Sequence, residues 1–392
     1  MPSPIAFAVE QWMDRFENTP GILNVAETCA SSISIDDLVR LSGDAETKPV
    51  LTSSKLTYGS IRGSSALRNS VAALHSGSEN TLTEDNVIIA QGGISANFLV
   101  LYTLLGPTDH VICVYPTYQQ LYSVPESFGA DVSLWRLKEE NGFIPDVREL
   151  DEMVKHNTKM IILNNPNNPT GAVIPTEVMQ EIVDYAKARG IIIFSDEVYR
   201  PLFHDSTNTP PPATAYGYDK TIVTGSMSKA FALAGIRIGW VVSPSKEIMT
   251  ACAHTRDYTT ISVSQVDDQI ATYALSPPVQ APLLKRNIGL ARQNVALVKE
   301  FTSKYSANCT WVTPNAGTTA FIQFRKSGKP VNDVSFCEDL IKSTKVFVCP
   351  GSHCFGADED FPGYVRLGYV CETAVLKEAL EKLAAYVEQN LA

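Results

Sequence analysis

MIILNNPNNPTGAVIPTEVMQEIVDYAKARGIIIF, residues Met160–Phe194, is the stretch that decides the fold class. The apolar runs at its two ends, Met160–Leu163 and Ile191–Phe194, are typical of buried β-strands. Between them, an Asn/Pro/Gly turn precedes a segment whose apolar residues share one helical face, with Thr176 as the expected N-cap and Gly190 as the stop. A strand, a helix and a strand within about 35 residues predict a parallel sheet with helices on its faces.

Short apolar runs of the same kind recur between Asn86 and Gly239. We predict that each of them is a further strand, because short β-branched runs bounded by turn residues favour buried strands. They read NVIIA (86–90), HVICVY (110–115), TIVTG (221–225) and IGWVVS (238–243).

The pattern changes after about residue 275. Pro277-Pro278 is expected to break the chain, and a long helix is predicted over about 281–305, followed by strands around 311–312 and 320–324. A final amphipathic helix is predicted from an apolar stripe of Leu376, Ala379, Leu380, Leu383 and Val387. We therefore expect a large domain over 45–275 and a smaller α+β domain built from 1–44 and 276–392.

The composition argues against several classes of protein. The chain has 392 residues, with 32 Lys plus Arg, 42 Asp plus Glu and a formal net charge of −10. It has no basic block, which argues against nucleic acid or an anionic membrane as a partner. It has no apolar run of about 18 residues and no secretory signal, so we expect a cytoplasmic protein. Eight cysteines without a CxxC pair and six histidines without ligand spacing predict neither a disulfide framework nor a metal site.

Four predicted strand ends carry polar clusters, and open parallel sheets bind ligands at the carboxyl ends of their strands. The first cluster, Ser226–Lys229 (SMSK), follows TIVTG. Lys229 lies among small and apolar residues, where desolvation could leave its amine neutral and nucleophilic. Ser226 and Arg237 offer a hydroxyl and a guanidinium, which suit a phosphate dianion. By itself, a lysine near an arginine is more often a solvated pair.

Two further clusters follow the strands of the central unit. Asp196 comes directly after the run at 191–195, and such a carboxylate could keep a pyridine nitrogen protonated so that the ring acts as an electron sink. Tyr199 could donate a hydrogen bond to a phenolate oxygen, although a helix-capping Asp beside a surface Tyr is the simpler interpretation. The segment 165–171 (NPNNPTG) predicts a tight turn, in which Asn168 is either an ordinary turn residue or a donor fixed by rigid prolines.

The fourth cluster, Gln91–Ile94 (QGGI), follows NVIIA and opens a helix predicted to run through Leu105. Backbone N–H groups at a helix N-terminus can bind phosphate, although glycines there are more often simple turn residues. Each cluster is weak evidence alone. Their coincidence at one edge of the predicted sheet indicates a ligand site.

Taken together, these motifs resemble a known family. SMSKAFALAGIRIG (226–239) is similar to the S-x-S-K-x5-G-x-R-x-G signature of class I/II aminotransferases, the fold-type I pyridoxal 5′-phosphate enzymes related to aspartate aminotransferase. The resemblance extends from about residue 25 to the end. It implies an α/β fold with a mostly parallel seven-stranded sheet flanked by helices, and a smaller α+β domain. The other matching motifs are Tyr58 with Gly63 and Leu67-Arg68, Pro116-Thr117-Tyr118, NNPNNPTG (164–171), SDEVY (195–199), and Pro350-Gly351 before Phe355-Gly356.

The resemblance also implies a role for each site residue. Lys229 would hold pyridoxal 5′-phosphate as a Schiff base and then shuttle the α-proton as a general acid–base. Asp196 would pair with the pyridinium nitrogen, and Arg366 would grip the substrate α-carboxylate. Tyr58 would reach the phosphate of the neighbouring subunit, which implies a homodimer. The other implied contacts are Tyr118 on the ring face, Tyr199 and Asn168 at the 3′-oxygen, Ser226, Arg237 and the amides of Gly93 and Ile94 at the phosphate, Gly92 and Ser228 beside the cofactor, and Asn168 also at the substrate.

The chain departs from the family pattern in two places. Ile94 stands where the family often has Ser or Thr, so one phosphate hydroxyl would be missing. Val25–Thr28 (VAET), which includes the predicted substrate-binding residue Glu27, replaces the usual Gly-Glu-Pro run. VAET and GGISAN (92–97) are more similar to the 1-aminocyclopropane-1-carboxylate synthase branch, which leaves elimination, cyclisation or oxidation open. Arg256 could meet an acidic substrate side chain from the partner subunit or form a surface salt bridge.

Two rival classes fit the sequence less well. Tyr216–Lys220 (YGYDK) fits the Y-x-x-x-K pattern of nicotinamide dehydrogenases, but no G-x-G-x-x-G follows a strand. A non-catalytic regulator with this fold would lack Lys229 or carry a DNA-binding domain. We therefore predict a dimeric aminotransferase that moves the amino group of an α-amino acid to a 2-oxo acid. The alternative is a pyridoxal-phosphate-dependent lyase, cyclase or oxidase.

Overall fold

Residues 5–44, 46, 48–51, 53, 55–77, 81–205 and 209–391 are described by the computed structural model of the chain. The predicted domain boundary at residue 45 lies outside them. The helices are α1 Ala8–Phe16, α2 Ile35–Ser42, α3 Ser65–His75, α4 Gly92–Leu104, α5 Gln120–Ser127, α6 Leu150–Met153, α7 Thr176–Arg189, α8 Lys246–Arg256, α9 Gln265–Ala274, α10 Pro277–Lys304, α11 Asp333–Thr344, α12 Gly351–Phe355 and α13 Thr373–Asn390. The strands are β1 Leu23–Asn24, β2 Val87–Ala90, β3 His110–Tyr115, β4 Asp131–Arg136, β5 Thr158–Asn164, β6 Ile192–Asp196, β7 Thr221–Ser226, β8 Gly239–Val242, β9 Cys309–Trp311, β10 Thr319–Lys326, β11 Lys329–Pro330, β12 Val346–Phe347, β13 Cys349–Pro350 and β14 Tyr364–Gly368.

A seven-stranded sheet forms the centre of the fold, in the order β2-β8-β7-β6-β5-β3-β4. The pairs from β7 to β4 are parallel, whereas β8 runs antiparallel to both β2 and β7. The predicted mostly parallel seven-stranded α/β sheet is therefore confirmed. The six apolar runs correspond to β2, β3, β5, β6, β7 and β8, and the edge strand β4 was not predicted. Its side chains are only partly buried, so its sequence lacks a continuous apolar run.

Both faces of this sheet are covered, which explains why its strands read as unbroken apolar runs. Along β5, Met160 and Ile162 belong to one buried cluster, and Ile161 and Leu163 belong to the other. Successive side chains of a strand point to opposite faces, so each cluster fills one side of the sheet. Most polar side chains of this sheet therefore lie at or near the strand ends, although Thr224 lies inside β7.

The predicted strand–helix–strand unit is present as β5, α7 and β6, with one change at the start of the helix. Pro175 is the N-cap and no side chain caps the helix, so Thr176 is the first helical residue and the expected cap is wrong. The φ of −59° at this N-cap is one that the proline ring favours. Gly190 ends the helix with φ of 68°, as its position predicted.

The C-terminal part contains a second, antiparallel sheet, ordered β11-β10-β14-β13 with β9 beside β10. Pro277 and Pro278 do not break the chain but lie in the first turn of α10. Backbone N–H groups in a first turn have no acceptor within the helix, so their absence in proline costs no helical hydrogen bond. The apolar stripe predicted for the last helix is buried along α13. β1 pairs with β12, so the N-terminal segment joins this part of the fold. The domain limits 45–275, and 1–44 with 276–392, remain a prediction.

Within the described ranges, no helix is both long enough and apolar enough to cross a membrane.

Candidate active site

A cavity of about 430 Å³ lies at the carboxyl ends of the central strands. It is bounded by Asn164 at the end of β5, Asp196 at the end of β6 and Ser226 at the end of β7, as expected for an open α/β sheet. The structure brings most of the residues predicted from the sequence to its wall: Glu27, Gly93, Ile94, Tyr118, Asn168, Asp196, Tyr199, Ser226, Ser228, Lys229, Arg237 and Arg366.

The amine of Lys229 is deep in this cavity. Its Nζ donates to Thr28 Oγ1 at 2.6 Å and lies 3.4 Å from Cys29 Sγ. Burial lowers the pKa of this amine, but Cys29, Tyr199 and Glu27 together raise it more, and the net pKa is above the ordinary lysine value. The expectation of a neutral amine is therefore wrong for the cofactor-free chain. Burial alone would favour the neutral form, but Cys29 and Tyr199, and after them a nearby carboxylate, favour the ammonium.

That carboxylate belongs to Glu27, in the segment where the sequence departs from the family pattern. Its Oε1 accepts from the backbone N–H of Thr28 at 2.6 Å and of Cys29 at 3.0 Å. Burial raises the pKa of Glu27, but Lys229 and these two amides outweigh burial, so the net pKa is below its ordinary value. Glu27 is thus a carboxylate fixed by the backbone and facing the Lys229 ammonium.

Asp196 is 2 % exposed and sits at the last position of β6. Burial raises its pKa to about 6, while hydrogen bonds from Asn97 Nδ2 at 2.9 Å and the N–H of Val198 at 3.2 Å limit the rise. The side chain is therefore ionised at neutral pH yet lacks a full counter-charge. A protonated ring nitrogen would supply that charge.

Asn97, on α4, is a site residue that the sequence analysis missed. It is 1 % exposed and bridges two strand ends, because Thr224 Oγ1 donates to its Oδ1 at 2.6 Å while its Nδ2 donates to Asp196. A buried asparagine fully engaged in this way fixes the carboxylate that it contacts. The only signal in the sequence was an amide side chain in the largely apolar stretch GGISANFLVLYTL, which forms α4.

Arg366, on β14, is a buried cation at the wall contributed by the C-terminal sheet. It is 3 % exposed, its Nη1 donates to Asn168 Oδ1 at 3.2 Å and its Nη2 donates to the carbonyl of Ala26 at 3.0 Å. Its Nε has no hydrogen-bond partner, and no carboxylate of the described residues forms an ion pair with it. A buried charge needs a counter-ion, so the guanidinium suits a carboxylate ligand.

A second anion site lies at the N-terminus of α4. Gly92 has φ of +80°, and a Cβ there would lie 2.6 Å from Arg237 Nη2. A Cβ on Gly239 would lie 2.4 Å from the carbonyl carbon of Gly92. Only glycines let the helix end approach the guanidinium so closely. Among the residues that the structure describes, no acid pairs with Arg237. Ile94 lines the same region and offers its backbone but no hydroxyl.

The N-terminal helix α1 closes one side of the cavity, a role that the sequence analysis did not predict. Tyr118 OH donates to Glu10 Oε1 at 2.8 Å, and the Tyr118 ring contacts that of Phe7 with centroids 4.9 Å apart. The side chain of Gln119 holds the start of the helix, since its Oε1 accepts from the N–H of Ala8 at 2.9 Å. The cavity wall includes Val9, Glu10 and Met13 of α1 and its C-cap residue, Glu17.

Of the residues singled out from the sequence, Gly92, Tyr58 and Arg256 do not line the cavity. Tyr58 is 81 % exposed, and its contact with a partner subunit stays a prediction. Arg256 is 1 % exposed and donates to the backbone carbonyls of Ile61, Ile89 and Ile261. The surface salt bridge suggested for Arg256 is therefore wrong, because the guanidinium instead ties three backbone segments together.

The donor set fits pyridoxal 5′-phosphate. The amine of Lys229 can bond its aldehyde carbon, the carboxylate of Asp196 can face its ring nitrogen, and the α4 N-terminus with Arg237 can take its phosphate. Tyr199, which is fully buried, and Asn168 supply polar groups for the phenolic oxygen. The orphaned Nε of Arg366 then remains for the carboxylate of a substrate.

Comparisons with known proteins agree with this geometry. Residues 44–383 match the model of the family described as aminotransferase class I and II. The chain is 28% identical to capreomycidine synthase of Streptomyces vinaceus over 76% of this chain and 73% of that protein. It is 29% identical to arginine–pyruvate transaminase of Pseudomonas aeruginosa over 83% of this chain and 81% of that protein. It also resembles the crystal structure of a PLP-dependent aminotransferase from Streptococcus suis, with a TM-score of 0.90 and 36% identity. The match covers 99% of this chain and 98% of that one. The chain therefore belongs to the class I and II aminotransferase family, and it is a fold-type I transferase whose cofactor is pyridoxal 5′-phosphate.

Proposed function

We propose that the enzyme transfers the amino group of an α-amino acid to a 2-oxo acid, with the cofactor held as a Schiff base on Lys229. The observation that carries this proposal is the buried guanidinium of Arg366, which has no carboxylate partner among the described residues and shares one cavity with the amine of Lys229. An α-amino acid and a 2-oxo acid share one feature that this guanidinium can bind, the carboxylate next to the reacting carbon.

The bound cofactor supplies an electron sink for the α-carbon of the substrate. Asp196 would hold the proton on the ring nitrogen, because a buried carboxylate without a counter-charge favours a cation opposite it. Lys229 Nζ must lose its proton before it can bond the aldehyde, since its pKa is raised in the cofactor-free chain. The same nitrogen would then serve as the base and acid that moves a proton from and to the α-carbon of the substrate.

Orientation would come from the other polar side chains of the wall. Arg366 and Asn168 are hydrogen-bonded to each other, so a carboxylate on the guanidinium would lie beside the amide that we assign to the phenolic oxygen. This pairing would fix the substrate relative to the cofactor ring. We also propose a homodimer in which exposed Tyr58 reaches the partner's phosphate site. A cytoplasmic location stays a prediction.

The test begins with the absorbance of the purified protein loaded with the cofactor. Lys229→Ala should abolish the absorbance band of the lysine-bound cofactor, whereas Lys246→Ala, which changes an exposed lysine at the start of α8, should retain it. Incubation with amino acids should convert the bound cofactor to pyridoxamine 5′-phosphate, and a 2-oxo acid should reverse the conversion. Failure of every proteinogenic amino acid to give that conversion would refute the proposal.

One observation favours a second candidate within the same family. Capreomycidine synthase, to which the chain is similar, is by name a synthase rather than a transaminase, and Glu27, Thr28 and Cys29 here place an unusual polar wall beside Lys229. The second candidate is elimination, cyclisation or oxidation of an amino acid. It predicts ammonia, a cyclised product or peroxide accumulating without any 2-oxo acid. Transfer predicts none of these products.

A further inference from the structure

The charged groups on the cavity wall are not balanced once the proposed ligands are placed. Each of the three cations on the wall then has an anion or an aldehyde to bind, and Asp196 has the ring nitrogen. Three glutamates are left without an assigned ligand. The cations are Lys229, Arg237 and Arg366, and the glutamates are Glu10, Glu17 and Glu27.

Two of these glutamates belong to the N-terminal helix: Glu10 lies in α1, and Glu17 is the residue that caps its C-terminal end. Glu10, Met13 and Glu17 are spaced i, i+3 and i+7, which places them on a single helical stripe, and all three line the cavity. The helix is held there by contacts on its other side, including Trp12 Nε1, which donates to the carbonyl of Val348 at 3.0 Å. The stripe is therefore a fixed part of the wall.

The stripe lies next to the proposed carboxylate site. Met13 Sδ is 3.9 Å from Cys349 Sγ, which in turn is 3.5 Å from Arg366 Nη2. Glu10 precedes Met13 by about one helical turn and Glu17 follows it by about one turn, so each is roughly 5 Å from Met13 along the helix axis. A substrate whose α-carboxylate is on Arg366 would thus have a carboxylate of α1 within reach of a side chain several atoms long.

The two glutamates differ in how they are engaged. Glu10 Oε1 already accepts the hydroxyl of Tyr118 at 2.8 Å, which fixes its position. The side-chain carboxylate of Glu17 has no hydrogen bond or ion pair with the residues that the structure describes, and only its backbone N–H is engaged, with the carbonyl of Met13. Both remain partly hydrated, so they can exchange water for a cationic ligand at modest cost.

We propose that the stripe Glu10–Met13–Glu17 selects amino acid substrates whose side chains end in a cation, an ammonium or a guanidinium. This inference rests on the proposed function. A cationic end would neutralise the unassigned carboxylates, and Met13 would contact the methylene stem. An acidic side chain would meet carboxylates of the same sign and would find no unassigned cation on the described wall, so it would be rejected electrostatically.

The test compares L-arginine with L-citrulline, which has a side chain of similar length but no charge. For the cofactor-loaded enzyme, kcat/KM for conversion of the cofactor should be about tenfold or more higher with L-arginine, and lowest with L-glutamate. Glu17→Gln and Glu10→Gln keep the shape of the side chain and should each reduce the arginine-to-citrulline ratio by about threefold to tenfold. Asp14→Asn makes the same change on the exposed face of α1, away from the cavity, and should leave the ratio unchanged.

A binding measurement separates selection from catalysis. α-Methyl-L-ornithine lacks the α-hydrogen, so it can bind without completing transfer, and its dissociation constant from absorbance titration should rise in Glu17→Gln. Equal ratios for the wild type and for both glutamine variants would overturn the inference, as would faster conversion with L-glutamate. If no amino acid reacts at all, the proposed function fails instead, so the two failures are distinguishable.

Discussion

Replacement of Asn97 by alanine should move the pH at which the protein loses affinity for its cofactor. Asn97 Nδ2 donates to Asp196 Oδ2 at 2.9 Å, and both side chains are at most 2 % exposed. A buried hydrogen bond to a charged group stabilises the charged form by about 1.5–3 kcal/mol. Since about 1.4 kcal/mol corresponds to one pKa unit, the pKa of Asp196 should rise from about 6 to roughly 7–8.

The consequence is a change in the charge of the site at neutral pH. In the wild type, roughly nine-tenths of Asp196 is ionised at pH 7, whereas in Asn97→Ala the ionised fraction would be between about a half and a tenth. A protonated Asp196 cannot stabilise a cationic ring nitrogen. The affinity for pyridoxal 5′-phosphate should therefore weaken at a pH about one to two units higher than in the wild type.

The assay is absorbance titration of the cofactor-free protein with pyridoxal 5′-phosphate from pH 5 to pH 9. Titration of the cofactor's own groups is common to both proteins, so the difference between the two profiles reports on the protein. Asn294→Ala is the matched control. Asn294, in α10, is also a fully buried asparagine, and its side chain donates to the carbonyl of Tyr369 at 2.7 Å. It should lower the melting temperature without moving the profile. Superimposable profiles for the wild type and a folded Asn97→Ala protein would refute the reasoning.

Three further predictions concern other parts of the site. Arg366→Lys keeps the charge but loses the planar fork, so KM for amino acids should rise about tenfold to a hundredfold in steady-state kinetics, and an unchanged KM would contradict its role. Gly92→Ala should weaken cofactor affinity in absorbance titrations, because a Cβ there would lie 2.6 Å from Arg237 Nη2, whereas Gly142→Ala has a similar positive φ but no neighbour within 4 Å and should not. Because burial raises the pKa of Asp196 to about 6, this side chain, taken separately from the other carboxylates, binds more protons in the folded cofactor-free protein than in the unfolded chain between about pH 4 and 6. Its contribution to the free energy of unfolding should then fall as pH rises through that window, by up to about 3 kcal/mol, and denaturant titrations should show this component lost in Asp196→Asn.

Much of the fold and of the cofactor site could be predicted from the sequence because the signals are local. The run Met160–Leu163 is apolar at every position since both sheet faces are covered, and Gly190 ends α7 because a left-handed residue is needed there. Lys229 and Asp196 follow such runs directly, so the geometry of an open sheet places them at one edge. Their meeting in one cavity agrees with that rule.

Only the tertiary structure decided the properties that depend on residues far apart in the chain. The expected neutral amine of Lys229 was wrong because Cys29, Tyr199 and Glu27, which precede it in the chain by 30 residues or more, lie around it in the cavity and raise its pKa. Asn97 became a partner of Asp196, and Glu10 a partner of Tyr118, through contacts across 99 and 108 residues. Hydrophobic periodicity and turn residues report on neighbours along the chain. The charge state of Lys229 and the composition of the cavity wall depend instead on which distant residues the packing brings together.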